Sequence, residues 1–101
     1  MIARVWHGYT RPADARTYEA MLRTSILPDL HRIAGYRGCH ILHRSEGAEV
    51  EFMTITMWDS MGAVRIFAGA DYEQAVIAPG AARLLSHHDD KAKHYDAAHS
   101  G

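Results

Sequence analysis

The chain has 101 residues, of which 48% are hydrophobic and 23% charged, which fits one folded domain over residues 1–101 and excludes a disordered or fibrous protein. Its 11 basic and 12 acidic side chains give a net charge of −1, so no general field attracts nucleic acid or an anionic membrane. No apolar run approaches the roughly 20 residues that span a bilayer, and the amino end lacks a signal-type segment. We therefore expect a cytoplasmic protein.

The amino-terminal half predicts a strand, a helix and a hairpin. Residues 2–9 are rich in apolar and aromatic types and end shortly before Pro12, which predicts a first strand. Residues 37–45 and 49–58 have strand composition on either side of a short turn, which predicts a β-hairpin. A helix is predicted between the first strand and the hairpin. Asp14 is its possible cap, and a kink or break is expected near Pro28. Its apolar positions recur at steps of three and four: Ala15, Tyr18, Leu22, Ile26, Leu30 and Ile33.

The carboxy-terminal half predicts a second helix and a last strand. Asp59 or Ser60 can cap a helix whose apolar stripe ends at Gly69. A short helical piece is expected over residues 71–76, followed by one further turn over residues 81–85. Residues 87–97 alternate weakly, which predicts a fourth strand.

The predicted order is β-α-β-β-α-β, the α+β ferredoxin-like arrangement with a four-stranded antiparallel sheet and both helices on one face. In the second arm of the hairpin, apolar side chains point to both faces of the sheet. A chain of this length has little else to cover the second face. The sequence therefore predicts a homodimer joined through the sheets.

Five stretches, distributed over nearly the whole chain, carry a family pattern. They are Ile2-Ala3-Arg4-Val5-Trp6-His7-Gly8, Gly35-Tyr36-Arg37-Gly38, residues 50–60, Phe67-Ala68-Gly69-Ala70-Asp71-Tyr72 and His94-Tyr95. With them the chain resembles the antibiotic biosynthesis monooxygenase domain proteins of the dimeric α+β barrel superfamily. The resemblance implies that two sheets pair into a barrel. It also implies a monooxygenase that acts on an aromatic, quinol or polyketide-like substrate without a metal or other cofactor.

Two branches of that superfamily offer tests at single residues. The haem-degrading branch pairs an Asn with a Trp and a haem-ligating His, and the matching positions here hold His7, Phe67 and Ile77. Weak or absent specific haem binding is therefore expected. The quinone-forming branch uses Asn, Trp and Arg. Trp58 and Arg65 lie near the corresponding segment, but the chain contains no asparagine.

His7 is the first candidate for chemistry. It shares strand parity with Ala3 and Val5, which we assign to the face under the helices, whereas Trp6 points to the opposite face and is expected at the dimer contact. A neutral imidazole there could ionise a phenol or enol for reaction with oxygen. The alternative is a hydrogen-bonded histidine with no catalytic role.

Aromatic and basic residues are candidates for binding the substrate. Rings at four positions could form the wall of a pocket for a planar molecule: Tyr18, Trp58, Phe67 and Tyr72. Arg37 and Arg44 could hold a carboxylate or phenolate. The alternatives are ordinary core packing for the rings and solvated surface positions for the arginines.

The 8 histidines do not predict a metal site. His40 and His43 are three apart on a strand and point to opposite faces. His94 lies on the strand predicted beside the first, so it could converge with His7 and is the second catalytic candidate. No carboxylate or thiol completes a ligand set at a readable spacing. Besides a monooxygenase, two functions remain open: a dimeric module that binds a small hydrophobic ligand, and a stress-response scaffold without a ligand.

Overall fold

An antiparallel sheet with helices on one side forms the structure, a computed structural model that describes residues 1–101. The strands are β1 (Ile2–Thr10), β2 (Tyr36–Glu46), β3 (Glu49–Trp58), β4 (Leu85–His88) and β5 (Lys93–Asp96). The sheet order is β2-β3-β1-β4, and β5 pairs with β1 beside β4. This confirms the predicted α+β ferredoxin-like arrangement. No helix has the length and apolar character that a membrane crossing requires.

The first helical region consists of α1 (Ala15–Met21), a wider π-helical segment (Leu22–Ile26) and α2 (Leu27–Leu30). Pro28 lacks a backbone N–H, so the regular hydrogen-bond ladder is disturbed just before it. The disturbance predicted there takes this π form, and the chain continues as helix to Leu30. Asp14 occupies the N-cap position of α1 as predicted, but its carboxylate accepts hydrogen bonds from Arg11 and makes none to the helix N-terminus.

The second helical region is α3 (Met61–Ala68). The Ser60 hydroxyl accepts a hydrogen bond from the Ala63 N–H at 3.3 Å, which confirms the predicted cap. The helix ends at Gly69, whose φ of 87° suits glycine.

The segment between α3 and the carboxy terminus differs from the prediction in two ways. Residues 71–76 form a loop rather than a helix, and the expected last strand is divided into β4 and β5. Both differences have one cause, because residues 90–92 leave the ladder of β1 and pair with this loop. Ala75 N–H donates to Asp90 O at 3.1 Å, and Ala92 N–H donates to Glu73 O at 2.8 Å. The turn expected over residues 81–85 is present as a 3-10 turn (Ala82–Leu84).

The core lies between the helices and one face of the sheet, in two clusters. The apolar stripe predicted for the first helix contributes residues to both clusters. One cluster contains Tyr18, Leu22, Phe52, Ala81 and Leu84, and the other contains Leu30, Trp58, Ala63 and Val64.

The face of β1 that meets the helices is the opposite of the predicted one. Arg4 and Gly8 are buried, and they pair with the core-facing Thr56 and Phe52 of β3. Trp6 therefore points toward the helices, and His7 points to the uncovered face, which we call the open face. The parity assignment failed because both faces of β1 carry apolar side chains, so the pairing with β3 decides which is buried.

Candidate functional site

A cavity of about 70 Å³ lies between the sheet and the helices. Three aromatic rings contribute to its wall, from Trp6 on β1, Tyr18 on α1 and Phe67 on α3. Trp6 Nε1 donates to the Asp89 carbonyl at 2.7 Å, which holds the indole in place. Strand alternation directs Trp6 toward the helices, where it meets the rings of Tyr18 and Phe67 from the helices that cover the sheet. The cavity can therefore contact a flat, apolar molecule on several sides.

A wider groove of about 470 Å³ lies beside the cavity. The two spaces share part of their wall, and this shared wall includes Ile26, Leu30, Phe67 and Ile77. No histidine lines either space.

Arg4 is the ionised side chain of the cavity wall, although only 5% of the residue is exposed. Its Nη1 donates to the Tyr72 carbonyl, and its Nη2 donates to the Gln74 carbonyl at 2.9 Å. The guanidinium also lies 5.5 Å from the centre of the Phe67 ring, within reach of a cation–π interaction. Burial lowers the pKa of Arg4 from its ordinary value.

His94 stands directly beside Arg4. Its Nε2 lies 3.0 Å from Arg4 Nη1, and arginine can only donate, so Nε2 accepts and the ring is neutral with its proton on Nδ1. Burial and the charge of Arg4 lower the pKa of His94, against a weaker opposing effect of Glu73. The Tyr72 ring packs edge-on against the imidazole at 5.4 Å.

The structure brings two of the four predicted ring positions to the cavity. Tyr18 and Phe67 line it. Trp58 is fully buried behind the wall, where it stacks on Phe67 at 5.3 Å and donates its Nε1–H to the Thr56 hydroxyl at 2.9 Å. Tyr72 contacts His94 and does not line the cavity, so the expectation of a direct wall position is wrong for Trp58 and Tyr72.

The arginines predicted to hold a substrate lie away from the cavity. Arg37 is exposed and donates twice to the Asp59 carboxylate at 2.6 Å, and these hydrogen bonds lower the pKa of Asp59. Arg44 is exposed on β2, where it pairs with Glu46 and Glu51. Both arginines therefore already have carboxylate partners at the surface.

His7 lies on the open face and cannot reach the cavity. Its Nδ1 is 2.8 Å from the Asp89 carboxylate, which also accepts from the His7 backbone N–H at 3.1 Å, and its Nε2 is 3.8 Å from Glu51. His94 is on the other side of the sheet, so the expected convergence with His7 does not occur. No three His, Cys, Asp or Glu side chains are grouped to hold a metal ion.

Sequence reasoning missed Arg4 and Trp6 as site residues. The signal for Arg4 was a charged residue in the middle of an otherwise apolar strand, since charged residues are almost never fully buried unless they have a partner or a function. The same missed parity placed Trp6 at the dimer contact. Correct pairing of β1 with β3 would have found both residues.

Comparison with solved structures shows the same fold in several proteins. A Bacillus cereus protein provisionally assigned as an antibiotic biosynthesis monooxygenase has 10% identity and a TM-score of 0.68, covering 99% of this chain and 95% of its own. The haem degrader MhuD of Mycobacterium tuberculosis was solved with two haems in its active site. It has 14% identity and a TM-score of 0.68, and the match covers 100% of this chain and 99% of MhuD. The ActVA-Orf6 monooxygenase of Streptomyces coelicolor, solved with nanaomycin D, has 14% identity and a TM-score of 0.63. The match covers 98% of this chain and 88% of the monooxygenase.

These likenesses confirm the α+β ferredoxin-like fold of the single chain. No protein-family model matches the chain, and no curated protein matches it. At these identities the comparison establishes the fold alone, and the activity has to be argued from the site.

Proposed function

We propose that the chain is a small monooxygenase that oxidises an aromatic quinol or polyketide-like substrate in the cavity between the sheet and the helices, without a bound metal or cofactor. The observation that carries the proposal is the cavity wall of three aromatic rings, Trp6, Tyr18 and Phe67, in a fold shared with a monooxygenase that binds nanaomycin D. Such rings favour a planar substrate through stacking and edge contacts.

The chemistry needs an electron-rich substrate anion, because ground-state oxygen is a triplet and accepts electrons one at a time. For an anthrone, the ring CH2 becomes a carbonyl: one atom of O2 enters the product, and the other leaves as water with the two hydrogens. The substrate supplies all four electrons. The protein's task is then to bind the substrate flat, keep its anion stable and exclude water.

Tyr18 is suited to orient the substrate. Burial raises the pKa of Tyr18 to about 12, so its hydroxyl stays protonated at neutral pH and is available as a hydrogen-bond donor. His94 acts on Arg4 rather than on the substrate, and we propose it as a positioning residue. His7 lies on the wrong face to serve as the base of this cavity.

Haem is a poor occupant of this cavity. Haem iron needs an axial ligand such as His, Cys, Met or Tyr, and the cavity and groove offer only Tyr18, whose raised pKa keeps its hydroxyl protonated. Titration with haem should give only the broad absorption spectrum of haem that associates non-specifically with surface histidines, without a sharp, stoichiometric Soret shift.

An oxygen electrode tests the proposed activity on a panel of anthrones and naphthohydroquinones. We expect oxygen uptake above the uncatalysed rate, and we expect Phe67→Ala to lower kcat/KM by about 10-fold to 100-fold through loss of the stacking wall. Ile66→Ala is the matched control, because Ile66 directly precedes Phe67 on α3 and is 71% exposed. Uptake that never exceeds the uncatalysed rate, or an equal effect of both variants, would contradict the proposal.

A second candidate, a non-catalytic module for a small hydrophobic ligand, is favoured by one observation. The cavity wall contains no His, Asp, Glu, Lys or Cys that could act as a general base. Such a module would show a ligand-induced rise in melting temperature with the same compounds and no oxygen uptake.

We further propose that the protein is a homodimer joined through the open face. The centre of this face is apolar, with Val5, Met53 and Ile55 flanked by the 49% exposed Leu42 and the 52% exposed Tyr95. Only 14 of the 101 residues are buried, and the accessible surface is 6242 Å², against about 5,700 Å² expected for a compact monomer of this mass. The excess is what an uncovered apolar sheet face produces.

The rim of the open face supports pairing with a second copy. It carries both signs of charge, from Arg44 and Lys93 on one hand and Glu51 and Asp89 on the other. A two-fold contact places each residue of the patch against the same patch of the partner, so a surface with both signs can complement itself.

A further inference from the structure

Arg4 is a buried cation without an acidic partner. The residue is 5% exposed, and no carboxylate lies within 4.0 Å of its guanidinium. Arg11, Arg37 and Arg44, which are exposed, all have such partners. Buried charges in proteins are ordinarily paired, because removing an ion from water is unfavourable unless another charge compensates. The compensating charge of Arg4 is therefore not supplied by the chain.

The guanidinium of Arg4 has two N–H donors that no protein acceptor engages. Arginine carries five N–H groups, and three acceptors are engaged: the Tyr72 carbonyl and His94 Nε2 by Nη1, and the Gln74 carbonyl by Nη2. The Nε–H and one of the two Nη2–H donors have no protein acceptor, and an arginine can bind a carboxylate through two such N–H donors. Because Arg4 lines the cavity, these donors are available to a ligand there.

The neighbours of Arg4 define the rest of the ligand. Phe67 lies under the guanidinium, with Trp6 and Tyr18 in the same wall, so the surface next to the free donors is aromatic. His94 accepts from Arg4 and is neutral, so it adds no second charge. A single negative charge on a flat apolar body matches this arrangement.

We propose that Arg4 is the anion-recognition residue of the cavity, and that the ligand is a planar aromatic anion that presents a phenolate, enolate or carboxylate oxygen to the Nε–H and Nη2–H donors. The inference deepens the proposed function and rests on it for the cavity being the substrate site. It narrows the substrate to compounds that are ionised when bound, which is the form that reacts with oxygen.

Calorimetric titration of the full chain with charge-matched probes tests the proposal. One pair is 2-naphthoate and the neutral 2-naphthamide, and the other is 2-hydroxy-1,4-naphthoquinone, ionised at neutral pH, and its neutral 2-methoxy ether. We expect each anion to bind about 10-fold or more tightly than its neutral partner, as for a charge-assisted hydrogen bond. The carboxylate and enolate arms show which oxygen the site prefers.

Two variants carry the same change of charge at different places. Arg4→Met should weaken both anions by about 10-fold or more and change the neutral probes by less than about 3-fold. Arg65→Met is the control, because Arg65 is exposed on α3 and stacks on the outer Tyr72 ring at 5.2 Å. It should leave every affinity unchanged.

Two results of these titrations overturn the proposal. Equal affinity of the wild type for anions and neutral probes does so, and so does an Arg4→Met variant that loses both classes alike, since Arg4 would then only fasten the loop at Tyr72 and Gln74. If Arg4→Met fails to fold, the wild-type preference and Arg4→Lys decide: we expect the lysine to bind anions less tightly than arginine but more tightly than the neutral probes, and no charge preference in either protein overturns the proposal. A charge preference without any oxygen uptake would refute the monooxygenase alone.

Discussion

Gly35 is the position where a single added methyl group should disturb the cavity from a distance. Its φ is +89°, and an added Cβ would lie 2.7 Å from the Cβ of Ala63, a buried residue of α3. Gly47, in the hairpin turn, has a φ of +60° but no atom within 4 Å of its added Cβ. The pair therefore separates backbone strain, which both positions share, from a packing clash, which only Gly35 has.

The expected costs follow from these two contributions. Left-handed backbone costs an ordinary residue about 1–2 kcal/mol, so Gly47→Ala should lower the free energy of unfolding by about that amount. Forcing a methyl into a packed core costs about 1–3 kcal/mol more, so Gly35→Ala should lower it by about 2–5 kcal/mol. For a chain of this size each kcal/mol corresponds to about 4–8 °C in Tm.

Urea unfolding measures both variants, at one fixed protein concentration because a dimer's stability depends on it. Displacement of α3 should also move Phe67, so Gly35→Ala should weaken ligand binding as well, whereas Gly47→Ala should not. Equal destabilisation by both substitutions would refute the packing argument, since it would mean that Ala63 yields without cost.

Two further predictions concern assembly and pH. Ile55→Asp places a charge at the centre of the open face, so this variant should sediment with the mass of a monomer or be unfolded. Ile66→Asp, on the exposed side of α3, should leave the proposed dimer intact. A dimer that survives Ile55→Asp would contradict the proposed interface. The pKa of His94 is lowered in the folded protein by burial and by Arg4, so the unfolded chain binds its proton more readily. Its contribution to stability is therefore complete above the unfolded value of about 6.5 and is lost as the pH falls below it. His94→Gln should make unfolding less sensitive to acid. An unchanged acid slope would remove His94 from this role.

Periodicity in the sequence predicted most of the elements because local spacing determines them. The apolar positions of the first helix, including Tyr18, Leu22 and Leu30, are buried as their spacing requires. The loop over residues 71–76 was mistaken for a helix because its backbone bonds go to residues 90–92, which are distant in sequence. Contacts of that kind leave no periodic signal in either segment.

The candidate site was harder to predict than the fold, because it depends on which face of β1 is covered. His7 was chosen on the wrong face, and Arg4 was passed over on the correct one. Both errors follow from a single reversed assignment. The rings of Tyr18 and Phe67 were predicted correctly because each lies on a helix stripe whose buried side the spacing alone decides.

β1 places the two proposed functions on opposite sides of one strand. Trp6 donates to the carbonyl of Asp89 from the cavity side, while His7 bonds to the carboxylate of the same residue from the open face. The Asp89 N–H in turn donates to the His7 carbonyl at 2.9 Å, which fixes this residue to the strand. Since a buried hydrogen-bonded group resists displacement, a partner seated on the open face would hold Asp89 and, through it, the indole that forms part of the cavity wall. The proposed assembly and the proposed substrate binding would thereby share one structural support, Asp89.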